Sequence, residues 1–221
     1  MQTTIEFSHA PLTPGATEGA LVEATLRFET EVLAPRPEFS FHALLRADGD
    51  GDGLRYAHLV AANDGAAFDR LIAQAPHLPA FQALSASLDT SAMIMQRHRP
   101  LSLFRVPARF AALELGTFEL RRELDVSAAE LERRAAAVRE GYLSGRPEHL
   151  AQAVTELGEG RYAEVVFGDS LAHVKRTCAG YLEDPTARRL IELLEPASAA
   201  ISYWLPLLAR DLSALRAQRA A

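Results

Sequence analysis

Polar and apolar residues alternate along several short segments of the chain, beginning with residues 4–10. A two-residue period is typical of a strand with one buried face. The same alternation recurs at residues 117–124, more than a hundred positions later. Between these segments, apolar residues such as Leu21, Phe28 and Val32 recur at helical spacing, which predicts helices with one buried side.

The ends of these first helices carry recognisable signals. Thr13-Pro14 predicts a helix start with threonine as N-cap and proline in the first turn. In the later segment, Ser127 followed by Glu130 forms a capping-box pattern. Both helices are expected to end before an Arg-Pro pair, at 36–37 and 146–147, because the residue before proline resists helical geometry.

The two halves of the chain repeat one another. Residues 55–101 match residues 161–207 at a constant offset of 106 without a gap, so that Arg55-Tyr56-Ala57 meets Arg161-Tyr162-Ala163. Upstream, we place Thr4 to Phe7 opposite residues 117–120. Matches that keep the same order along the chain indicate an internal duplication.

The remaining elements follow the same order in both copies. Pro79 and Pro185 are expected to break a second helical region, 65–88 and 171–194, into two pieces. The other predicted strands are residues 38–46, 55–62 and 91–99 in the first copy, and 149–156, 161–167 and 198–205 in the second.

The order β-α-β-β-α-β, given twice, predicts an α+β protein made of tandem ferredoxin-like modules, each an antiparallel sheet with helices on one face. We predict a first module at 1–100, a linker at 101–115 and a second module at 116–221. The uncovered sheet faces are expected to be apolar and buried against each other as an intrachain barrel. Their apolar residues are Phe39, Phe41 and Leu45, and Ile201, Tyr203 and Leu205.

The stretch from Pro79 to Pro100 shows Phe81, Leu84 and Leu88 leading into an apolar last strand. In this stretch and in element order, the chain resembles the dimeric α+β barrel superfamily, and most of all its antibiotic-biosynthesis-monooxygenase group, with two modules in one chain. The resemblance implies several chemistries. Members oxidise polycyclic aromatics without a cofactor, bind or degrade haem, cyclise polyketides, isomerise small lactones, or have no known activity.

Histidines are distributed unevenly between the copies. Each predicted strand of the first copy carries one, and the set is His9, His42, His58 and His98. Their predicted counterparts in the second copy are Arg122, Gln152, Glu164 and Trp204. Imidazole carries protons near neutral pH and binds metals. We therefore predict His42, His58 and His98 as acid/base groups, with His42 and His58 also as candidate metal ligands, against the alternative of separate structural histidines.

A ligand pocket is expected between the sheet and the helices of the first copy, because concave apolar sites with few polar groups usually bind small molecules. The candidate lining residues are Phe7, Phe41, Phe68, Phe81 and Met95, with Arg97 available for an anionic group. For any single one of these apolar residues, a simple core position is the favoured alternative.

Cofactor expectations remain open between none, a metal and haem. The resemblance implies a haem-ligand position in the second helical region, where His77 lies. The acidic run Asp48 to Gly53 resembles half of a calcium loop, but Leu59 stands where a bidentate glutamate is required. Calcium is therefore not expected, and a hairpin turn explains the run.

Charge and composition narrow the function classes. The net charge is -6 and there is one cysteine in 221 residues. An acidic chain does not fit a nucleic-acid partner, and one cysteine forms no intrachain disulfide. We expect no membrane span, no signal peptide and a cytoplasmic location. Assembly into a homo-oligomer is left open.

These observations predict an enzyme acting on a small apolar or aromatic molecule in the first module, of cofactor-free or metal-assisted monooxygenase type. The alternatives are a ligand-binding or assembly module without catalysis, and a haem-binding protein that uses His77.

Overall fold

The computed structural model describes residues 3–49 and 55–220. The strands are β1 Thr4–Pro11, β2 Phe39–Ala47, β3 Arg55–Ala62, β4 Ile94–Pro100, β5 Ala112–Glu119, β6 His149–Gly158, β7 Arg161–Gly168 and β8 Ala200–Asp211. The α-helices are α1 Glu18–Phe28, α2 Ala66–Gln74, α3 Pro79–Ala86, α4 Ala128–Val138, α5 Leu171–Ala179, α6 Pro185–Ile191 and α7 Leu212–Ala220.

The strands are hydrogen-bonded in the order β1-β3-β2-β8-β5-β7-β6-β4 and close into a barrel. The predicted α+β fold of duplicated ferredoxin-like units is therefore confirmed. The chain divides into two compact units, Met1–Arg97 with Pro206–Ala221, and His98–Leu205. We call them unit 1 and unit 2.

In unit 1, β3 lies between β1 and β2 and pairs antiparallel with both. The core between this sheet and the helices contains Leu21 and Phe28 of α1, Phe68 of α2, Leu84 of α3 and Leu212 of α7. The helices therefore cover one face of the sheet with apolar side chains, as the helical spacing predicts.

Unit 2 repeats this arrangement, with β7 between β5 and β6. Leu131 and Val138 of α4 and Leu190 of α6 pack with Phe118 of β5 and Val154 of β6. The Gly158–Gly160 turn joins β6 to β7 with positive φ at all three residues, as a tight hairpin requires. The corresponding turn of unit 1 lies largely outside the described residues.

Strand register corrects the predicted pairing of the two copies at the first strand. Phe7 pairs with Leu59, and Leu115 pairs with Val165, which is the repeat equivalent of Leu59. Glu6 therefore corresponds to Glu114. The strand predicted at 117–124 was wrong by five residues at its start, since β5 begins at Ala112. The prediction matched only four residues, and so short a match does not fix the register; an odd shift also exchanges the two faces of the strand.

The start of α1 also differs from the prediction. Its N-cap is Thr17, whose side chain accepts a hydrogen bond from Ala20 N at 3.2 Å, whereas Thr13 lies in the preceding loop. Ser127 caps α4 as predicted, accepting from Glu130 N. Both helices then continue as one π-helical turn, Glu29–Leu33 and Arg139–Leu143. Such turns interrupt the regular ladder and often occur at functional sites.

The predicted helix breaks are confirmed, since α3 and α6 each begin at the proline. The face prediction for the last strand of the second copy was wrong. Ile201 is 62% exposed, whereas Trp204, three residues further along the strand, is only 3% exposed. Alternation fixes which residues share a face, but it does not determine which face is buried. Among the described residues, no helix has the length and hydropathy needed to span a bilayer.

The cap assignment predicts a difference between two threonines. Replacing an N-cap threonine by alanine removes a hydrogen bond to an otherwise unpaired backbone N–H and costs about 1 kcal/mol. Thr17→Ala should lower the free energy of unfolding in urea by about that amount, and Thr13→Ala should change it much less. Equal losses in the two variants would contradict the assignment.

Candidate functional site

Three buried polar side chains form a continuous chain in unit 1. Glu29 stands at the start of the π-helical turn, His42 on β2 and His58 on β3. His42 Nδ1 lies 3.2 Å from Glu29 Oε2, and His42 Nε2 lies 3.0 Å from His58 Nδ1. Glu29 and His42 are fully buried, and His58 is 6% exposed. We call this the Glu29–His42–His58 chain.

The order of donors along this chain follows from the carboxylate. A carboxylate can only accept hydrogen bonds, so with Glu29 as a carboxylate the contact requires a proton on His42 Nδ1. When His42 Nε2 carries no second proton, it accepts from His58 Nδ1. In that tautomer the lone pair of His58 is on Nε2, which has no hydrogen-bond partner. Arg210 Nη1 lies 3.4 Å from Glu29 Oε1 and balances its charge without hydrogen-bond geometry.

His58 lies on the wall of a small, mainly apolar cavity of about 90 Å³ in unit 1. Phe68, Phe81 and Met95, three of the predicted ligand-binding residues, line it together with Phe28 and Met93. An apolar cavity of roughly 150 Å³ holds a benzene ring, so a ring-sized ligand requires the lining to move. Met95 is 50% exposed, and methionine side chains adapt readily.

Burial and the neighbouring His42 lower the pKa of His58 to about 3. The His58 imidazole is therefore neutral at physiological pH. An isolated base with this pKa would be weak, because a good general base has a pKa close to the working pH. The Glu29 carboxylate lies next to His42, so a positive charge on His42 would be stabilised there.

The other predicted site residues lie elsewhere. Phe7 and Phe41 are buried but do not line the unit 1 cavity. Arg97 forms ion pairs with Glu6 at 3.0 Å and Asp69 at 2.7 Å. These pairs neutralise the charge that was expected to attract an anion.

The other two histidines that were predicted as site residues, His98 and His77, differ in burial. His98 belongs to unit 2, where its Nδ1 lies 2.9 Å from Thr155 Oγ1, and burial lowers its pKa to about 4. The catalytic role of His98 stays a prediction. His77 is exposed on a short 3₁₀ turn, Ala75–His77.

Unit 2 contains a chain at the same three positions, built from different residues. Arg139 Nη1 donates to Gln152 Oε1 at 3.0 Å, and Gln152 Nε2 donates to Glu164 Oε1 at 2.5 Å. Arg139 begins the π-helical turn, and strand register places Gln152 diagonally opposite Glu164, as it places His42 diagonally opposite His58. Both units therefore have a row of hydrogen-bonded side chains from helix to sheet. The helix residue is acidic in unit 1 and basic in unit 2, and the last strand residue is histidine in unit 1 and glutamate in unit 2.

The unit 2 chain ends at a larger apolar cavity of about 320 Å³, within the usual range for small-molecule sites. Its polar lining consists mainly of side chains that sequence reasoning did not single out, together with Tyr203: Glu114, Glu164, Cys178, Tyr181 and Tyr203. Burial raises the pKa of Glu114 to about 7. Burial and the nearby carboxyls also raise the pKa of the Cys178 thiol and the Tyr203 phenol.

Two residues of these sites were missed for identifiable reasons. Glu29 sits among other acidic residues at a helix end and looked like a surface carboxylate. The repeat did mark this position. Aligning Arg36 with Arg146 at an offset of 110 places Glu29 opposite Arg139, a charge reversal between the copies. Glu114 fell in the predicted linker because the first strands were misaligned.

The described side chains do not form an evident metal or haem site. Within residues 3–49 and 55–220, no group of three or more histidine, cysteine or acidic residues is placed to hold a metal ion. Haem does not fit the two apolar cavities described above. The unit 1 cavity is too small, and the unit 2 cavity has no lining histidine. The raised pKa values of Cys178 and Tyr203 also disfavour the anionic form of an axial ligand.

Solved structures with this architecture identify the fold. A candidate monooxygenase from Lactobacillus acidophilus NCFM superposes with a TM-score of 0.64 at 10% identity, covering 96% of this chain and 97% of the other. A ferredoxin-fold protein from Listeria monocytogenes 4b F2365, described as related to antibiotic biosynthesis monooxygenases, gives 0.51 at 9% identity, covering 94% and 96%. The chain has the dimeric α+β barrel fold.

A third relative with this fold has a different described role. A haem-binding protein from Thermus thermophilus has a TM-score of 0.56 at 14% identity, covering 100% of this chain and 96% of that one. No family model and no curated protein matches the sequence. At identities this low, the superpositions establish the fold alone, and the activity has to be argued from the site.

The lowered pKa of His58 predicts a pH effect on stability. Between its ordinary value of 6.5 and about 3, the unfolded chain binds a proton that the folded chain excludes. The stability contributed by neutral His58 is therefore complete above pH 6.5 and is lost as pH falls, by about 1.4 kcal/mol per pH unit.

Urea unfolding between pH 6 and pH 4 measures this effect. His58→Gln should make the free energy of unfolding less dependent on pH than in the parent protein. The exposed His77→Gln is the matched control for the loss of an imidazole and should keep the parent slope. A His58→Gln slope equal to that of the parent would mean that folded His58 is protonated in this range.

Proposed function

We propose that the protein is an enzyme that binds a small, single-ring apolar or aromatic molecule in the unit 1 cavity and removes a proton from it with His58 Nε2. The observation that carries this proposal is the unpartnered Nε2 at the wall of an apolar cavity, with Nδ1 tied to His42 and Glu29. Buried nitrogens without partners are uncommon and call for an explanation.

The chain of hydrogen bonds gives the removed proton a place to go. Transfer of a substrate C–H or O–H proton to Nε2 makes His58 an imidazolium. Movement of its Nδ1 proton to His42 Nε2 then shifts the positive charge to His42. There the charge lies next to the Glu29 carboxylate, 3.2 Å away, where opposite charge stabilises it. This shift compensates for the low basicity of His58 alone.

The apolar walls define the substrate class. Phe28, Phe68 and Phe81 offer aromatic surfaces, which pack well against a flat ring. The lining carboxylate, Glu6, is neutralised by Arg97, so nothing in the described lining selects a charged substrate. An oxygenase reaction would begin with this deprotonation, and dioxygen would then oxidise the resulting anion.

Hydrogen–deuterium exchange tests proton removal without requiring knowledge of the final product. Phenylacetone and cyclohexanone, each with one ring and acidic C–H groups, are incubated with the protein in D₂O and followed by proton NMR. The parent protein should accelerate exchange, and His58→Gln should lower the accelerated rate by about 10²-fold or more, as expected for loss of a general base. An oxygen electrode run on the same samples reports whether oxidation follows.

Two further variants separate catalysis from packing. Glu29→Gln keeps the shape of the chain but removes its charge, and should lower the exchange rate while leaving near-ultraviolet circular dichroism unchanged. His173→Gln in unit 2, at a half-buried histidine paired with Asp169, is the control and should exchange at the parent rate. Exchange that survives in both His58→Gln and Glu29→Gln would overturn the proposal. Binding of the probes without any exchange would instead identify a non-catalytic ligand-binding module.

A further inference from the structure

The unit 2 cavity differs from its unit 1 counterpart in the partner of one carboxylate. In unit 1, Glu6 on β1 is held by Arg97, whose Nη2 lies 3.0 Å from Glu6 Oε2. Strand register makes Glu114 the equivalent of Glu6, and the repeat offset of 106 places Tyr203 where unit 1 has Arg97. The carboxylate is therefore retained in unit 2, while its arginine is replaced by a phenol.

Glu114 is buried, at 4% exposure, and faces the cavity. Cys178 and Tyr203 are hydrogen-bonded to its carboxyl group, but Oε2 has no hydrogen-bond partner. A buried carboxylate with an unpaired oxygen is costly unless a cation or donor meets it. Glu114 thus has one unpaired acceptor oxygen, and its side chain lines a cavity large enough for a ligand.

The cavity wall has the chemistry that suits an organic cation. Its described lining residues include two carboxyl side chains, Glu114 and Glu164, and no arginine, lysine or histidine. Two aromatic rings, Tyr181 and Tyr203, also line it, and aromatic faces attract cations. Lys175 Nζ already lies 5.1 Å from the centre of the Tyr203 ring, so Tyr181 is the ring that remains for a ligand cation. Leu190, Ile191 and Leu194 complete an apolar surface. Acidic groups, aromatic rings and aliphatic walls together favour an apolar molecule that carries a positive charge.

We propose that the unit 2 cavity binds a small apolar primary amine in its protonated form, with the ammonium group on Glu114 and the ring or alkyl part against the leucine and isoleucine side chains. This site is separate from the proton-removing site of unit 1. The ammonium group takes the role that the Arg97 guanidinium plays for Glu6, and it supplies the donor that Glu114 Oε2 needs.

The state of Glu114 gives the binding a pH signature. Its pKa is raised to about 7, chiefly by burial, so the carboxylate forms as pH rises through neutrality. An alkylammonium ion keeps its proton over this range, and its affinity should therefore increase from pH 6 to pH 8. The titratable groups around Glu114 are Glu164 on β7, Lys175 and Cys178 on α5, Tyr181 on the following turn and Tyr203 on β8.

Calorimetric titration with benzylamine tests the site, with benzyl alcohol as the uncharged probe of the same shape. Benzylamine should bind more tightly than benzyl alcohol at pH 8, and its affinity should fall at pH 6 while that of the alcohol does not. Glu114→Gln should weaken benzylamine binding by roughly tenfold or more, because a charge-assisted hydrogen bond is lost. It should leave benzyl alcohol binding close to the parent value.

The internal duplication supplies a second variant. Tyr203→Arg copies the unit 1 arrangement and should abolish benzylamine binding, since the new guanidinium would pair with Glu114 as Arg97 does with Glu6. His77→Gln in unit 1 is the control and should bind as the parent does. Equal affinity for the two probes, or benzylamine binding that survives both Glu114→Gln and Tyr203→Arg, would overturn the proposal. Neither result depends on the exchange activity assigned to His58.

Discussion

The burial of Glu29 and His42 within an otherwise apolar interface of helices and sheet constrains the site of unit 1. A buried carboxylate is unfavourable unless hydrogen bonds and opposite charge meet it. His42 Nδ1 supplies the hydrogen bond, and Arg210 lies near the second oxygen. A carboxylate at Glu29 requires a proton on His42 Nδ1, and the hydrogen bond between the two imidazoles couples this proton to the tautomer of His58.

The duplication shows that both units keep a row of hydrogen-bonded side chains from helix to sheet, and that the residue types in this row differ between the units. Both units run from a π-helical turn through the second strand of the repeat to the third, with Glu29, His42 and His58 in one and Arg139, Gln152 and Glu164 in the other. In unit 1 the two strand residues of this row are the imidazoles of His42 and His58. In unit 2 the second strand residue is the carboxyl group of Glu164. One scaffold thus presents a neutral base to one cavity and an acidic group to the other.

The two cavities differ further in size and charge balance. Arg97 neutralises Glu6 beside the smaller cavity, whereas a phenol, Tyr203, replaces that arginine beside the larger one. The two proposed ligands, an uncharged ring in unit 1 and an ammonium group in unit 2, match this difference in charge. After duplication, one copy can therefore change its ligand without any change in fold, because the sheet and helices depend on apolar positions that both copies keep.

The sequence by itself determined the duplication, the order of elements, the helix breaks at Pro79 and Pro185, and the unequal distribution of histidines, because periodicity and local backbone chemistry are written in neighbouring residues. The tertiary structure decided which histidines meet, that Glu29 stands behind them, and that Glu114 is the counterpart of Glu6. These facts depend on strand register and on which face of each strand the helices cover. A shift along a strand changes every cross-strand contact, while the alternating pattern can remain the same.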